Sequence, residues 1–347
     1  MFIALVKFLR SMNLQSAYAA RKRNQLIRRC FDEPTCVIMV DGGFCSVLTK
    51  LAIGLSVKRE SGVKVKYDLT WFDRNSKGCD GVSDRSFTLS SVFPRIEFEP
   101  ASDDEIYWAK KINYFKDKTP FIFKDSLFKL GTCYLDGYYG NWRYLDSVAD
   151  ELYRILRFGE LPLDLANREV RDEIQAAVEP IAIHIRRGDF VDTNNSFLSG
   201  KYYLAAIDLV IDRCSSSCPE LFFFSDDPDF VSRQIIPHVQ KSCRLRNVDI
   251  NDQSKGYLDL YLISRCKHQI ASNSSFGVWG GFLNQNVNKV VVIPDRWFPR
   301  SKTSSSLEGH ETAFRFPGWT VLSVDTYEDV TLRSKLDVEG LPIASEI

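Results

Sequence analysis

Short apolar runs alternate with helical spacing in the second half of the chain, and this alternation restricts the fold more than any other feature. Each run is four to six residues long and mostly apolar. Strands of that kind, when helices separate them, are typical of a parallel sheet covered on both faces. The runs are IAIHI (181–185), LFFFS (221–225), HQIAS (268–272) and KVVVIP (289–294).

Helix signals occupy the intervals between these runs. Ser199 is placed to cap one helix, and Pro228 to open the next. GYLDLYLISRC (256–266) is apolar on most sides, which predicts a buried helix, and FGVWGGFLN (276–284) predicts another. The region therefore predicts a Rossmann-like order of strand and helix.

The first half is less regular but similar in kind. CVIMVDGG (36–43) predicts a strand that runs into glycines, and a helix follows to about residue 60. VKVKYDLTWF (63–72) alternates like another strand. An aromatic stretch, YLDGYYGNWRYL (134–145), precedes a predicted helix over 146–158.

A chain of 347 residues is long enough for two domains. The pattern predicts a basic amphipathic segment over 1–30, an α/β domain over 31–175 and a Rossmann-like domain over 176–347. Ligands of such sheets bind outside the carboxyl ends of the strands.

Composition excludes several classes of protein. The 45 basic and 45 acidic residues balance, so we expect no nucleic-acid partner. Nine scattered cysteines without a CxxC pair, together with no evident leader, favour a reduced, cytoplasmic setting. None of the four histidines is spaced from a cysteine or carboxylate like a zinc ligand.

The first thirty residues are the most basic part of the chain, with seven Lys or Arg and no acid. One helical face would carry only apolar side chains, which fits a helix lying on anionic lipid. Packing of that face against the protein itself is the alternative. The apolar run is too short to span a bilayer.

Positive charge follows the first of the apolar runs, in HIRRGD (184–189). The guanidinium groups of Arg186 and Arg187 match phosphate oxygens in geometry and stay charged when partly buried. Gly188 permits a sharp turn with little bulk, and Asp189 is placed to hold one arginine. A salt-bridged strand end without a ligand is the structural alternative.

Polar residues also follow two further runs. Asp226 and Asp227 end the second run and are able to accept from a purine edge or from sugar hydroxyls. Asp227 before Pro228 fits a helix N-cap better than a metal-binding DxD motif. Asn273, Ser274 and Ser275 lead into a helix, whose free N–H groups form an anion site. Together these strand ends suit a nucleoside diphosphate.

The same segments resemble the motifs of the α-1,2-fucosyltransferases, especially the bacterial type that builds surface polysaccharides. The resemblance covers residues 131–298 and rests on four segments in order. They are YLDGYYGNWRYL (134–145), HIRRGDF (184–190), FFFSDDPDF (222–230) and the region from YLDLYL (257–262) to VVIPDRWF (291–298).

This resemblance implies a GT-B-like fold with GDP-β-L-fucose as donor. It also implies inverting, metal-independent transfer to the 2-hydroxyl of a galactosyl acceptor, and hence no cofactor. Arg186 and Arg187, with Ser274 and Ser275, would then stabilise the departing diphosphate. We expect Arg187 rather than Arg186 to contact the β-phosphate.

By analogy with related fucosyltransferases, the His184 backbone and Asp227 are candidates for guanine recognition. An inverting transfer also needs a base for the acceptor proton. Asp189, Asp192 and Asp136 are open candidates, and for Asp189 the alternative role is to hold an arginine. A lipid-linked acceptor would fit an enzyme on the cytoplasmic membrane face.

One segment departs from the family pattern, which has Gly-Gly-Leu-Gly-Asn-Gln after the first strand. Gly42 and Gly43 are present, but Cys45, Ser46 and Val47 replace the Gly-Asn-Gln triplet. A different acceptor, a shifted loop and weakened activity are three readings of this change. The alternative functions are a non-catalytic GDP-sugar-binding protein and a transferase of another GDP-deoxy-sugar.

Overall fold

The structure is a computed structural model that describes residue 25 and residues 28–74, 89–188, 198–216, 218–302 and 304–324. The basic segment predicted for residues 1–30 therefore lies almost entirely outside the described residues, and its membrane contact stays a prediction. No helix in the described part is long and apolar enough to cross a bilayer.

Within the described residues, the first half is built on a four-stranded parallel sheet with strand order β2-β1-β4-β3. The central strand β1 is buried because helices cover both faces of the sheet. The strands are β1 (Thr35–Met39), β2 (Lys64–Asp68), β3 (Tyr114–Lys116) and β4 (Cys133–Asp136).

The longest helix of this half, α1, begins just after two glycines that follow β1 and ends at Gly62 in the left-handed region. Helix α4 begins with a capping box in which Ser102 and Glu105 bond each other's backbone N–H. The helices are α1 (Phe44–Ser61), α2 (Thr70–Arg74), α3 (Leu89–Val92), α4 (Asp103–Ile112), α5 (Trp142–Asp146), α6 (Ala149–Ile155) and α7 (Leu165–Ala176).

The second half is built on a six-stranded sheet whose described strands pair in parallel in the order β10-β9-β8-β5-β6-β7. Strand β5 lies in the interior of the sheet and is buried along its whole length. The strands are β5 (Pro180–Ile185), β6 (Glu220–Ser225), β7 (Arg244–Val248), β8 (His268–Ile270), β9 (Val291–Pro294) and β10 (Thr320–Leu322).

Helices connect these strands as the sequence predicts. Ser199 precedes the first of them, although its side chain makes no capping hydrogen bond. The helices are α8 (Gly200–Ile211), α9 (Pro228–Phe230, continued by further helical turns to His238), α10 (Gly256–Arg265) and α11 (Ser275–Leu283). The two parallel sheets confirm the predicted α/β architecture of two Rossmann-like halves, which is GT-B-like. The residue boundaries of the domains stay predictions.

Two sequence expectations need correction. The strand expected over 63–72 ends at Asp68, because the Asp68 carboxylate accepts the Thr70 N–H at 3.0 Å and a helix begins there. The helix expected over 146–158 is interrupted, and α5 and α6 lie on either side of Ser147 and Val148.

The sequence pattern also missed strands. β7 forms an edge of the second sheet, and its first three residues are exposed, so it lacks the apolar run that marks the interior strands. β10, at the opposite edge, has only three half-buried residues.

An apolar core joins the two halves. One cluster of buried side chains contains residues of β1 and β4 together with residues of α11 and β9. At its centre the Trp279 indole N–H donates to the Thr49 hydroxyl at 3.2 Å, and the rings of Tyr153 and Phe282 stack at 4.7 Å. The halves are therefore packed against each other through α1 and α11.

Helix α1 approaches β2 most closely at Gly54. A β-carbon at this position would lie 2.2 Å from the Tyr67 hydroxyl oxygen, and the Tyr67 ring is buried. Gly54→Ala should therefore destabilise the fold by about 1–3 kcal/mol, although the same change in an open helix stabilises by about 1 kcal/mol. Urea unfolding of the variant measures the difference.

The matched control is Gly256→Ala, at the start of α10, where the nearest atom would lie at an ordinary contact distance of 3.8 Å. We expect its free energy of unfolding to stay within about 1 kcal/mol of the wild type. Equal effects of the two substitutions would contradict the close approach at Gly54.

Candidate active site

A cavity of about 650 Å³ lies where the carboxyl ends of both sheets face each other. This is the edge at which parallel sheets bind ligands. Strand ends from both halves contribute to the cavity wall: Gly42 and Gly43 after β1, Arg186 after β5, Asp226 after β6, Asp249 after β7, Ser274 after β8 and Trp297 after β9.

Arg186 contributes a positive charge to the cavity wall. Its guanidinium forms an ion pair with the Asp226 carboxylate at 2.8 Å, and the second Asp226 oxygen accepts the Arg187 backbone N–H at 2.8 Å. A β-carbon at Gly188 would lie 2.5 Å from the Asp226 carboxylate. The glycine in this motif is therefore needed for space, and Asp226 orients Arg186 toward the cavity.

Arg187 lies behind the cavity wall. It is 5% exposed, its Nε donates to the Asp227 carboxylate at 3.0 Å, and its guanidinium carbon lies 3.8 Å from the centre of the Phe230 ring. Arg186 and not Arg187 lines the cavity, so the geometry favours Arg186 for a ligand contact, and the expected contact of Arg187 with the β-phosphate stays a prediction. Strand alternation sends neighbouring side chains to opposite faces.

Asp227 is a helix N-cap, as predicted. One carboxylate oxygen accepts the Phe230 N–H at 3.0 Å and the other accepts from Arg187. Asp227 does not line the cavity, and each of its oxygens already accepts one hydrogen bond, so the geometry does not favour its role in guanine recognition, which stays a prediction. Asp227 and Asp226 also hold the two arginines, the role that we expected for Asp189, which lies outside the described residues.

His184 lies at the floor of the cavity with a buried side chain. Its Nδ1 lies 3.0 Å from the Ser272 hydroxyl, and its ring stacks on Phe276 at 5.1 Å. Burial, with a smaller contribution from the Arg186 charge, lowers the pKa of His184 to about 3. The imidazole is therefore neutral and is packed as part of the floor.

Helix α11 points its N-terminus into the cavity. Ser274 caps it by accepting the Phe276 N–H at 3.3 Å, and both Ser274 and Ser275 line the cavity. Asn273 is directed elsewhere, because its buried amide donates to the Trp297 carbonyl at 3.0 Å. Arg186 and the start of α11 thus line one cavity, and both favour an anion.

Comparison with known proteins identifies the class of this site. A family model described as "Glycosyl transferase family 11" matches residues 105–323, which is more than half of the chain. The chain belongs to glycosyl transferase family 11. This assignment confirms the family resemblance found in the sequence motifs.

Among curated proteins, this family 11 chain is similar to two from Escherichia coli. It is 26% identical to an alpha-1,2-colitosyltransferase over 219 residues, which cover 61% of this chain and 68% of that protein. It is 27% identical to the O-antigen biosynthesis glycosyltransferase WbnK over 183 residues, covering 51% of this chain and 58% of the relative.

Among solved structures, fucosyltransferase NodZ from Bradyrhizobium is similar at 14% identity with a TM-score of 0.43, over 72% of this chain and 93% of that one. Similarity at this level adds nothing to the family assignment.

The family 11 chain carries a half-buried acid in the cavity that the sequence analysis missed. Asp259, on α10, accepts from the Asn251 amide at 2.7 Å, and Asn251 is in turn bonded to Asn167 at 2.9 Å. Burial, opposed by the Asn251 hydrogen bond and reinforced by Asp249, raises the pKa of Asp259 to about 7. The sequence feature that could have pointed to Asp259 is the presence of one acidic residue inside the otherwise apolar segment GYLDLYL (256–262).

The wall contributed by the first half is largely apolar. Gly42, Gly43 and the start of α1 line it, so the segment that departs from the family pattern faces the cavity. Burial raises the pKa of the Cys45 thiol well above its ordinary value, which keeps this sulfur protonated. The remaining residues of this wall are Phe44, Ser46, Val47, Phe72, Leu89 and Tyr138.

Asp136, the third candidate for the base, does not line this cavity. Its carboxylate accepts from the Tyr114 hydroxyl at the end of β4. Asp189 and Asp192 lie outside the described residues, so their roles stay predictions.

Among the described residues, one group has the composition of a metal site, namely Glu179, Cys214 and His268. His268 Nε2 lies 2.7 Å from Glu179, and its Nδ1 accepts the Val290 N–H at 2.9 Å. Burial alone would raise the pKa of Glu179, but the Lys267 ammonium and hydrogen bonds lower it to about 2. These groups form hydrogen bonds and ion pairs with one another and with their neighbours at the amino ends of the strands, away from the cavity.

Proposed function

We propose that the protein transfers a 6-deoxy sugar from a GDP-sugar to a hydroxyl of a glycan acceptor with inversion at the anomeric carbon. GDP-β-L-fucose is the first donor to test, and the 2-hydroxyl of a galactosyl residue the first acceptor. The observation that carries the proposal is the arrangement of Arg186, which Asp226 orients, in one cavity with the N-terminus of α11.

These groups suit the leaving diphosphate. Cleavage of the anomeric C–O bond leaves negative charge on GDP, and fixed positive charge at that position lowers the barrier. Arg186 supplies a planar guanidinium, whereas the Ser274 and Ser275 hydroxyls and the free N–H groups of α11 supply hydrogen bonds. We include metal independence in the proposal, because these groups provide the charge that a divalent ion supplies in other transferases.

Asp259 and the backbone beside His184 suit the guanine base. Asn251 occupies one carboxylate oxygen of Asp259, and the other is available to the N1 and N2 donors of guanine. Uracil presents only one N–H donor on its Watson–Crick edge, so a carboxylate here would favour GDP over UDP.

The acceptor would approach from the apolar wall of the first half. The names of the relatives favour a surface polysaccharide as its setting, because one relative is called an O-antigen biosynthesis glycosyltransferase. The other is called a colitosyltransferase, which makes GDP-colitose the competing donor.

A second candidate function is binding of a GDP-sugar without transfer. The replacement of Gly-Asn-Gln by Cys45, Ser46 and Val47 at the cavity wall favours it, because backbone and amide contacts to an acceptor would be lost. Under this alternative the protein binds GDP but forms no glycoside with any acceptor.

Purified protein should transfer sugar from GDP-fucose or GDP-colitose to a β-galactoside in the presence of EDTA. Product mass and GDP release measure the reaction, and the two donors compete in one tube to decide the preference. Activity that returns only with manganese would contradict metal independence. GDP binding without product across a broad acceptor panel would establish the second candidate instead.

The two adjacent arginines give a matched pair of variants. Arg186→Lys should lower kcat by about 100-fold or more, because a point charge replaces the fork that binds phosphate. Arg187→Lys keeps the cavity wall and should lower kcat much less, while thermal unfolding shows the loss of its Phe230 and Asp227 contacts. The opposite order of the two kcat values would refute the assignment of Arg186.

Asp259 makes donor binding depend on pH. The ionised carboxylate accepts the guanine N–H groups strongly and the protonated acid only weakly, so GDP affinity should fall as pH decreases through about 7. At pH 6 the wild type should bind about tenfold more weakly than at pH 8. Isothermal titration with GDP and with inosine diphosphate, which lacks the N2 donor, measures the effect.

Asp259→Asn is the control for titration of the phosphates, which both proteins share. This variant should bind GDP weakly at every pH and should discriminate little between GDP and inosine diphosphate. Parallel pH curves for the variant and the wild type would contradict the role of Asp259.

A further inference from the structure

Helix α1 contains a buried lysine that the transfer reaction does not use directly. Lys50 lies in the middle of the helix and is only 2% exposed. Its ammonium contacts the Asp41 carboxylate at 3.1 Å, donates to the Gly137 carbonyl and lies 5.8 Å from the centre of the Tyr139 ring. Removing an ammonium from water is costly unless several partners replace its hydration.

The partners of Lys50 belong to two turns that border the cavity. Asp41 directly precedes Gly42 and Gly43, which line the first-half wall. Gly137 directly precedes Tyr138, which lines the same wall. A single buried cation therefore links the turn after β1 to the turn after β4.

The turn after β4 has a conformation that needs such support. Tyr139 has a φ of 56°, in the left-handed region that costs energy for a bulky residue. Its carbonyl accepts the Asn141 N–H at 2.9 Å, which closes the turn tightly. Tyr139 itself is buried, so the contacts around it fix the position of the neighbouring Tyr138.

Tyr138 brings this turn to the cavity. It lines the same cavity as Ser275, at the start of α11. Contacts run from Asp41 through Lys50 to the Gly137 carbonyl, and Tyr138 directly follows Gly137. These contacts support the first-half wall of the cavity in which the proposed function puts the diphosphate.

We propose that Lys50 is a positioning residue: its ammonium fixes the turn of residues 137–140 so that Tyr138 is held in place at the cavity wall. The proposal rests on the proposed function for its consequence in catalysis. Its structural part, the fixed turn, does not depend on which sugar is transferred.

Hydrogen exchange tests the structural part in the full-length protein. Lys50→Met keeps an unbranched side chain only one atom shorter and removes the charge, and amide exchange of the peptide covering residues 137–145 should become at least tenfold faster. Peptides covering β5 and β6 should be unchanged. The control is Lys58→Met, an exposed position of the same helix, which should exchange like the wild type. Unchanged exchange at 137–145 in folded Lys50→Met would overturn the proposal.

Kinetics tests the functional part. Lys50→Met should keep the Kd for GDP within about threefold, because the second half supplies the donor contacts, while kcat for transfer falls at least tenfold. A purely structural lysine would lower the melting temperature without this separation of kcat from Kd. Tyr138→Phe should lower kcat as well, and adding Lys50→Met to it should cause little further loss, because Lys50 acts by positioning the Tyr138 hydroxyl in the cavity. Multiplicative losses would overturn the route through Tyr138.

Two outcomes separate this proposal from the proposed function. If the wild type transfers no sugar, the proposed function fails while hydrogen exchange still decides the role of Lys50. If Lys50→Met does not fold, Asp41→Asn takes its place, since it removes one partner of the ammonium and leaves Gly137. Asp41→Asn should then increase exchange at 137–145 by a smaller factor, and no increase would contradict the proposal.

Discussion

Parallel pairing of every described strand is the constraint on which the rest of the molecule depends. In a parallel sheet all carboxyl ends lie at one edge, so each residue that follows a strand is delivered to the same side. The two sheets turn these edges toward each other, and polar residues far apart in sequence meet in one cavity. The strand topology thus determines which residues meet in the cavity, and their side-chain chemistry determines what they can bind.

The adjacent residues Asp226 and Asp227 have different roles at the carboxyl edge of the second sheet. Asp226 lines the cavity and orients Arg186, whereas Asp227 caps a helix and holds Arg187. Each arginine therefore has its own carboxylate, and the pairs are separated by the alternation of the strand ends. The Arg187–Asp227 pair is packed against the protein, with Phe230 stacked on the guanidinium. The Arg186–Asp226 pair lines the cavity and is accessible to a ligand.

Much of this organisation could be predicted from the sequence, because interior strands have an apolar run that local pattern detects. β5, β6, β8 and β9 were predictable for that reason, and so was the placement of Arg186 and Ser274 at strand ends. β7 was not predictable, because an edge strand with exposed arginines has no such run. Because β7 was not predicted, the polar segment that follows it was overlooked. This segment contains Asn251, the hydrogen-bond partner of Asp259.

Side-chain direction was the second limit. The order of residues in HIRRGD shows that Arg186 and Arg187 face opposite ways but not which of them faces the cavity, since that depends on the contacts of Arg187 with Asp227 and Phe230 after β6. Asp227 shows the same limit, because one of its oxygens accepts from a residue 40 positions away, which local sequence does not reveal. Local pattern locates an element, whereas long-range pairing decides what its polar groups contact.

The shared core of the two halves has a consequence for motion. Trp279 of α11 is buried against Thr49 of α1, and the surrounding cluster contains apolar residues of both sheets. A hinge that opened one half away from the other would expose this cluster to water, at a cost that grows with the apolar area uncovered. A wide separation of the two halves is therefore energetically costly for this molecule.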